Sequence, residues 1–594
     1  MKKTLILIFF SLFLLSPSVY AFPKSEGETD LMSQNTHDHS AHAPMPVNPR
    51  MNFLSGASRD RLGSLFVQDF RGRMKPLDTL SREMLMKVTK KSSYEGWEPL
   101  DLFLSWTVHP EHWLQEPLIA IRFPGLKELL GLSEDTDHVS AASLMDGQGR
   151  YLLGSKVEEA LRTADRSRSK LQRKLLIFDE RFNLLLMSMQ GQTLRIYPVP
   201  GDENNTWEGS AEIFSELSGE TLEEYRGVET GFHEALRNMN GSGLLVSVSS
   251  LADLQEKYGS EVLPSSLSLG SELLLNRWKP FSRVTLPYLG AFILLALAYV
   301  ISLLRRKGEP WTLKSPLYAI GFLLFAASFF FHLIAYVLRW FASGRAPLSN
   351  GYESLIFIAM AVAVAGLIFE WKDRRGILAG LASFLSASVL GVAMMATFDP
   401  AIGPLVPVLN SYWLIIHVTV ITGSYGFLGL GALMAVTILA LHFFKGPDKD
   451  FIRQAIRRLN DLHWKVLTTG LGMLSIGTLL GGVWANESWG RYWGWDSKET
   501  WSLVTILVYA SVVHFRWVKA LNRPWTLAAG SFFALSSVLM TYFGVNYLLS
   551  GLHSYAGGEA VSLPAWVYYG SAFMLLLLAS SRWFDKNRHW EVKS

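Results

Sequence analysis

Four tryptophans near residue 490 alternate with glycines and carboxylates. The residues that could do chemistry there are Trp489, Trp493, Trp495, Asp496, Glu499 and Trp501. Tryptophan has a broad apolar face and one N–H donor, so it collects at membrane–water interfaces. An interfacial belt needs only one or two tryptophans at a helix end, whereas this alternation is typical of a loop that presents flat rings to a flat ligand. The pattern favours a ligand surface over a simple belt.

The motif W-G-x-x-W-x-W-D-x-x-E-x-W, followed by a helix that ends in histidine, resembles the tryptophan-rich signature of haem-handling proteins of cytochrome c assembly. It is most similar to the CcsA-type half of the membrane cytochrome c synthetase, and the resemblance covers roughly residues 311–581. The resemblance implies that haem b, held non-covalently, crosses the membrane and is presented for attachment to apocytochrome c with its C-x-x-C-H segment. A companion membrane protein of the synthetase is an expected partner.

His417 and His553 flank the tryptophan run in the sequence. His417 lies one turn inside a predicted membrane helix and His553 lies just beyond a later one, so both are expected at the depth of the tryptophans. A single histidine near a membrane surface is usually a satisfied polar side chain. Two at one level, beside a wall of indole rings, favour axial ligation of a haem iron. The family has histidines in similar settings.

His514 lies thirteen residues beyond Trp501, which is roughly 20 Å along a helix. An ionisable side chain at that depth in a membrane usually has a function. The resemblance implies that His514 ligates a second haem inside the membrane, and a neutral imidazole hydrogen-bonded between helices is the alternative. His332 is the candidate for the partner ligand and His442 is a rival, unless the partner histidine belongs to another protein.

Charged residues near the tryptophans have two interpretations each. Arg339 and Arg345, in a predicted outer loop, could bind haem propionates or could anchor a structural turn at the membrane surface. Asp496 and Glu499 could brace the loop by accepting N–H bonds, or could orient apocytochrome c. We favour bracing, because thioether formation requires thiols and reduced haem iron more than a carboxylate base. No catalytic residue is predicted.

The composition indicates a membrane protein. Of 594 residues, 49% are hydrophobic and 18% are charged, and there is no cysteine. The chain can therefore form neither a disulfide nor a covalent haem site of its own, and the thiols must belong to a substrate. The net charge of +4 is small, and the basic residues of the second half lie in short loops. That is a topology signal rather than a nucleic-acid surface.

Apolar segments after residue 280 predict about nine transmembrane helices in a haem-handling domain of residues 281–585. Each is near or above the length that crosses a hydrocarbon core of about 30 Å. The predicted spans are residues 284–304, 315–338, 352–370, 377–397, 413–443, 466–485, 501–518, 525–549 and 564–581. A cationic helix at residues 448–465 is predicted to lie on the membrane surface.

Lysine and arginine are concentrated at alternate ends of these segments. The ends that carry few cations have only Arg339, Arg345, Arg491 and Lys498. The positive-inside rule then predicts that the N-terminal region and the tryptophan run are exported, and that the tail of residues 586–594 is cytoplasmic. The expected location is the bacterial inner membrane.

Residues 1–21 fit a cleaved secretory signal peptide, with an uncleaved anchor as the alternative. Residues 22–60 predict a flexible linker, in which His37, His39 and His42 could bind metal or haem weakly.

Residues 61–280 predict an exported soluble α+β domain in which helix dominates. Helices are predicted at residues 77–88, 157–176 and 222–239, and short strands at residues 193–199 and 244–248. No function for this domain follows from its sequence.

The predicted fold is therefore mainly α, a polytopic helical membrane protein with an exported N-terminal domain. The predicted function is cytochrome c biogenesis, as a component of a haem lyase. Two alternatives stay open, which are a haem carrier or exporter that passes haem to a separate ligase and a diheme respiratory membrane subunit.

Overall fold

A computed structural model describes residues 54–238, 241–304, 315–395, 398–405, 407–444, 450–549 and 565–587. The predicted signal peptide, most of the predicted linker with its three histidines, His553 and most of the predicted tail lie outside these ranges. The described residues are mainly helical and form two hydrophobic cores. One core lies within residues 54–254 and the other within residues 281–578.

Helices dominate the N-terminal domain. They are α1 (Gly56–Gly63), α2 (Leu77–Thr89), α3 (Pro99–Val108), α4 (Pro110–Gln115), α5 (Pro124–Leu129), α6 (Gly154–Arg162), α7 (Lys170–Met189), α8 (Ser210–Glu216), α9 (Gly219–Arg237) and α10 (Gly241–Gly259), with 3₁₀ turns at Ala142–Leu144 and Asp165–Ser167. Three antiparallel two-stranded sheets join β1 (Phe66–Gln68) to β2 (Met74–Pro76), β3 (Ile119–Ala120) to β4 (His138–Val139), and β5 (Tyr197–Pro198) to β6 (Trp207–Glu208).

The predicted helices at residues 77–88 and 222–239 are confirmed by α2 and α9. The single helix predicted at residues 157–176 is wrong, because the structure has α6 and α7 there. Ser169 accepts a bond from the Gln172 amide and the Gln172 side chain accepts one from the Ser169 amide, so a capping box begins α7. The strand predicted at residues 193–199 is reduced to the two residues of β5.

The strand predicted at residues 244–248 is also wrong, since this segment belongs to α10. Valine and serine alternate there and imitate a strand. Leu244, Val248 and Leu251 are buried at intervals of four and three residues, whereas Val246 is 68% exposed. Burial with helical spacing overrides the local alternation.

The second half of the chain is a helical bundle. Its helices are α11 (Ser266–Trp278), α12 (Pro280–Arg283), α13 (Thr285–Leu304), α14 (Pro316–Ser343), α15 (Gly351–Asp373), α16 (Ile377–Ala393), α17 (Tyr412–His442), α18 (Asp450–Trp489), α19 (Ser497–His514), α20 (Pro524–Leu539), α21 (Val545–Leu548) and α22 (Ala565–Asn587). A π turn at Met540–Gly544 joins α20 to α21, and 3₁₀ turns occupy Pro407–Leu409 and Phe515–Trp517.

Six helical segments of the described chain are long and apolar enough to cross a membrane. They are Ser266–Leu304, Pro316–Ser343, Gly351–Asp373, Tyr412–His442, Asp450–Trp489 and Pro524–Gly544. Helices α16, α19 and α22 occupy the other three predicted spans without meeting the same criterion. The chain is a multi-pass membrane protein, and the count of nine spans stays a prediction.

The cationic segment at residues 448–465 does not form a separate surface helix. It continues into the predicted span as α18, which is 40 residues long. Its apolar side chains Ile452, Ile456 and Leu459 are buried in the bundle core, and Arg458 pairs with Asp373 at the end of α15. These contacts hold the segment against protein, which corrects the prediction.

Glycines allow α17 and α18 to approach closely. A Cβ atom on Gly477 would lie 3.0 Å from the backbone nitrogen of Ile421, and a Cβ atom on Gly481 would lie 2.5 Å from Cε1 of His417. The first separation is tight against backbone and the second would force the His417 ring to shift, so glycine at these positions allows the close approach. The close approach brings the backbone of α18 within reach of the His417 ring.

Helix α11 attaches the N-terminal domain to the bundle. Glu272 pairs with Arg73 and accepts a hydrogen bond from Thr79, and Ser268 Oγ donates to the carbonyl of Ala342 near the end of α14 at 3.3 Å. We name this end of the bundle, with the described connections at residues 344–350, 394–395, 398–405, 407–411 and 490–496, the loop end. The N-terminal domain and the tryptophan run therefore share one end of the bundle.

Candidate functional site

A cavity of about 630 Å³ lies at the loop end. Its volume is within the range of about 300–1,000 Å³ that is typical of small-molecule and cofactor sites. The aromatic side chains that line it are Tyr352, Phe398, Trp484, Tyr492, Trp493, Tyr542 and Phe543. An aromatic wall of this kind suits a large planar ligand.

His417 lines this cavity from the second turn of α17. Its Nδ1 lies 2.7 Å from the carbonyl oxygen of Gly477. A carbonyl oxygen only accepts, so Nδ1 carries the proton and Nε2 of the neutral ring carries the lone pair. Metal-ligating histidines characteristically donate their second ring N–H to such an acceptor. The ring also lies nearly parallel to that of Trp484, at 8° and 6.5 Å between centroids.

The tryptophan loop connects α18 to α19. Trp489 ends α18 and packs its ring edge-on to Trp484 at 4.8 Å. Trp493 lines the cavity and makes an edge contact with Trp495 at 5.8 Å. Trp495 has a φ of 56°, which is strained for a bulky side chain, and it is 71% exposed. Trp501 lies in the first turns of α19, and its carbonyl accepts a bond from Thr541.

Asp496 and Glu499 brace this loop. Asp496 caps α19 and accepts from the amide of Lys498 at 2.9 Å. Glu499 Oε2 accepts from the amides of Gly494, at 2.8 Å, and Asp496, at 3.2 Å. These bonds form the capping box that begins α19 and hold the indole rings in place. The contacts agree with the bracing interpretation.

Two cations of the bundle, Arg345 and Lys498, line the cavity. Arg345 donates to Ser349 Oγ and to the carbonyl of Gly403, both at 2.9 Å. Lys498, which precedes the predicted span of residues 501–518, donates to Asn546 Oδ1 at 2.9 Å. Burial lowers the pKa of Lys498 to about 8, against the opposing effect of Asp496. The cavity thus combines one histidine, an aromatic wall and cations at its edge.

Arg339 does not share this arrangement. It is buried and pairs with Glu353 through Nε at 3.1 Å and Nη2 at 2.9 Å. It also donates to the carbonyl of Pro400 and lies over the ring of Tyr352 at 5.0 Å. Of the two arginines in the predicted outer loop, Arg339 anchors the bundle and Arg345 reaches the cavity.

Residues 348–553 match the family model described as cytochrome C assembly protein. The chain is 34% identical over 308 residues to the cytochrome c biogenesis protein CcsA of Synechococcus sp. (strain CC9902), an alignment that covers 46% of this chain and 97% of that protein. The chain belongs to the CcsA family. The resemblance read from the tryptophan motif is thereby confirmed.

Two further relatives extend the comparison. The CcsA protein of Marchantia polymorpha is 33% identical over 285 residues, covering 40% of this chain and 88% of that protein. Protein NrfI of Wolinella succinogenes is 37% identical over 499 residues, covering 84% of this chain and 54% of NrfI. The chain thus spans about half the length of NrfI. Membership of the CcsA family assigns the chain a general role in cytochrome c maturation and implies that it handles haem.

His514 ends α19, far along the helix from the tryptophan loop. Its Nδ1 lies 2.7 Å from the carbonyl of Ala510, so Nε2 is again the nitrogen that carries the lone pair. The side chain is exposed on the bundle surface, with its ring 4.8 Å from that of Trp517. This position is compatible with a second ligand from another chain.

The structure does not bring His332 to His514. His332 is fully buried on α14, where its ring contacts Phe281 and Tyr288 at 5.7 and 6.1 Å between centroids. Helix α14 packs against α11, α13 and α15, whereas α19 packs against α18 and α20. The pairing of His332 with His514 stays a prediction, and the contacts of His332 are those of a packing residue. The rival His442 is buried on α17, with Nδ1 2.8 Å from the carbonyl of Ile438.

Sequence reasoning missed three features of the site. Trp484 precedes the motif by one helical turn, yet it packs on both His417 and Trp489. Gly477 and Gly481 make room for the His417 ring. Their separation of four residues on a predicted helix is a signal that could have identified a close helix contact. His553, the predicted partner of His417, lies outside the described residues.

Proposed function

We propose that the chain binds haem b non-covalently at the loop end and presents it for covalent attachment to apocytochrome c, as a component of a haem lyase. The observation that carries the proposal is His417, whose lone-pair nitrogen is set by the Gly477 carbonyl in a cavity with an aromatic wall. His553 is proposed as the second axial ligand. Trp489, Trp493, Trp495 and Trp501, with Asp496 as their brace, form the proposed haem-binding surface.

The proposed roles follow from the chemistry of these groups. His417 and His553 would hold the haem iron and would protect the haem until the histidine of the C-x-x-C-H segment replaces one of them. The apocytochrome then brings its two thiols to the haem vinyl groups, since this chain has no cysteine. The chain holds and orients the haem edge and excludes competing ligands. No side chain of this chain needs to act as an acid or base.

A second haem is proposed at His514, where haem would enter from the cytoplasm. The exposed ring of His514 supports a partner ligand from a companion membrane protein. In this proposal the N-terminal domain and the loop end face the exported side of the bacterial inner membrane, the C-terminus is cytoplasmic, and haem passes from His514 to the site of His417.

The test is co-expression with a reporter apocytochrome c in a host that lacks its own assembly system, with and without the companion protein. The unmodified chain should purify with a low-spin bis-histidine haem spectrum and should support covalent haem attachment. His417→Ala should abolish maturation and loosen the outer haem while haem at His514 is retained. His233→Ala, in the N-terminal domain, is the matched control and should leave both readouts unchanged.

The other outcomes distinguish the alternatives. Accumulation of haem without covalent attachment favours a carrier that passes haem to a separate ligase. Quinol-dependent turnover with no effect on maturation favours a diheme respiratory subunit. His514→Ala should lower haem at both sites if haem travels through the membrane site. Full outer haem and full maturation in His514→Ala would make that histidine structural.

A further inference from the structure

The N-terminal domain reaches the cavity through the turn between β1 and β2. Asp69 Oδ1 accepts from the amides of Arg71, at 2.9 Å, and Arg73, at 3.0 Å, and Gly72 closes the turn with a φ of 80°. An Asx turn of this kind is rigid. Lys75 pairs with Asp69 at 2.7 Å and stabilises the turn. The turn therefore holds Arg71 at its tip, and Arg71 lines the cavity together with Arg345.

The two guanidinium groups meet at one residue, Gly403. The carbonyl of Gly403 accepts from Arg345 Nη2 at 2.9 Å, and Nη1 of Arg71 lies 4.0 Å from the position of a Cβ atom on Gly403. Among the described residues, neither Arg71 nor Arg345 forms an ion pair with a carboxylate. Two neighbouring cations without an anion mark a site that an anionic ligand would stabilise.

The surrounding charges agree with this. Burial lowers the pKa of Arg345, and Arg339 and Arg73 lower it further, while Glu353 opposes them. Glu353 is already engaged with Arg339. Two acids line the cavity: Asp399 accepts from the amide of Ala401, and Glu499 accepts from the amides of Gly494 and Asp496. Among the described residues, neither of these acids forms an ion pair with Arg71 or Arg345.

We propose that Arg71 and Arg345 bind the two propionate carboxylates of the haem held at His417. This inference rests on the proposed function. Haem carries both carboxylates on one edge, and guanidinium groups bind carboxylates through paired, charge-assisted hydrogen bonds. The aromatic wall would then contact the haem ring, and the cationic edge of the cavity would contact the haem edge that carries the carboxylates. The N-terminal domain, for which the sequence indicates no function, becomes part of the haem site.

The experiment measures haem release from the full chain in detergent. A His514→Ala background is stripped and reloaded with haem, so that only the outer site is filled, and apomyoglobin then removes the haem. Arg71→Gln should release haem at least tenfold faster, because a hydrogen bond between charged groups is lost. The release rate of Arg71→Lys should lie between those of the parent and Arg71→Gln, since lysine keeps the charge but lacks the planar guanidinium group. Arg61→Gln changes an exposed arginine of the same domain and should match the parent.

Haem dimethyl ester separates a carboxylate contact from a structural effect. Without free carboxylates, the ester should leave the parent and Arg71→Gln at the same rate. A tenfold difference with the ester as well would make Arg71 a structural residue and overturn the inference. Equal release of haem from Arg71→Gln and Arg61→Gln would overturn it too, with the proposed function intact. A reloaded parent that binds no haem would overturn the proposed function itself.

Discussion

Helices α13–α16 and helices α17–α20 both carry polar side chains inside an apolar bundle, but they satisfy them differently. In the first group, Glu353 pairs with Arg339, and Glu370 accepts from the amides of Gly376, Leu378 and Ala379. These groups close on partners within the same four helices. In the second group, the part-buried His417 places Nδ1 against the carbonyl of Gly477 and lines a cavity.

This difference shows which partners a polar side chain in a membrane helix can have. Such a residue requires either an internal partner or a ligand. Glu353 and Glu370 have saturated surroundings and therefore stabilise the fold. His417 holds its Nδ1 against the carbonyl of Gly477 and lines the cavity, which supports its proposed role as a ligand. We therefore expect these buried pairs of the first group to stabilise the fold, and His417 of the second group to serve the proposed site.

The largest predicted effect is on the scaffold. Arg339→Ala leaves the carboxylate of Glu353 buried without its partner, and breaking a buried ion pair in this way typically costs about 3–5 kcal/mol. Thermal unfolding in detergent should show this loss. The double variant Arg339→Met/Glu353→Leu should recover most of it, because no charge stays buried. Unchanged stability of Arg339→Ala would contradict the assignment of this pair to the scaffold.

The next effect is on the site alone. In Gly481→Ala the new Cβ atom would lie 2.5 Å from His417 Cε1, so the ring must move. A misplacement of about 1 Å can lower a rate about 100-fold, and we expect a loss of cytochrome maturation of that order.

Gly472→Ala is the matched control for this change. It lies on the same helix, and no atom would come within 4 Å of its Cβ position. Both substitutions gain the same helix propensity of about 1 kcal/mol. Equal maturation in the two variants would show that the position of His417 is unimportant.

Much of this contrast follows from the sequence, and some does not. The tryptophan motif identifies the loop and the family because its residues lie close together in the sequence, between Trp489 and Trp501. His332 and His417 look alike in sequence, since each is a histidine in an apolar helix. Only the neighbouring helices distinguish them, by placing Phe281 and Tyr288 around one and a cavity beside the other. The role of Arg71 is likewise invisible, because it depends on how the N-terminal domain packs on the bundle.

A smaller effect is expected from pH at Lys498. Its pKa of about 8 means that it loses its charge as the pH rises through 8, so anionic haem should be held a few-fold less tightly at pH 9 than at pH 7. Lys498→Arg should remove this dependence. Stability should change in the opposite direction, because the unfolded lysine binds its proton up to a higher pH and stability therefore rises above pH 8. If Lys498→Arg also binds haem less tightly at pH 9 than at pH 7, the pH dependence belongs to another group.

The smallest effect is predicted for His332→Phe. The new ring would join Phe281 and Tyr288, and the substitution removes the long contact of 3.4 Å between Tyr288 Oη and His332 Nδ1. A neutral hydrogen bond contributes about 1 kcal/mol, so stability should fall by no more than that. Haem content per chain and maturation should equal those of the parent, whereas His417→Phe should lose both. Loss of one haem from His332→Phe would move His332 from the scaffold to the site, because packing alone cannot account for a missing haem.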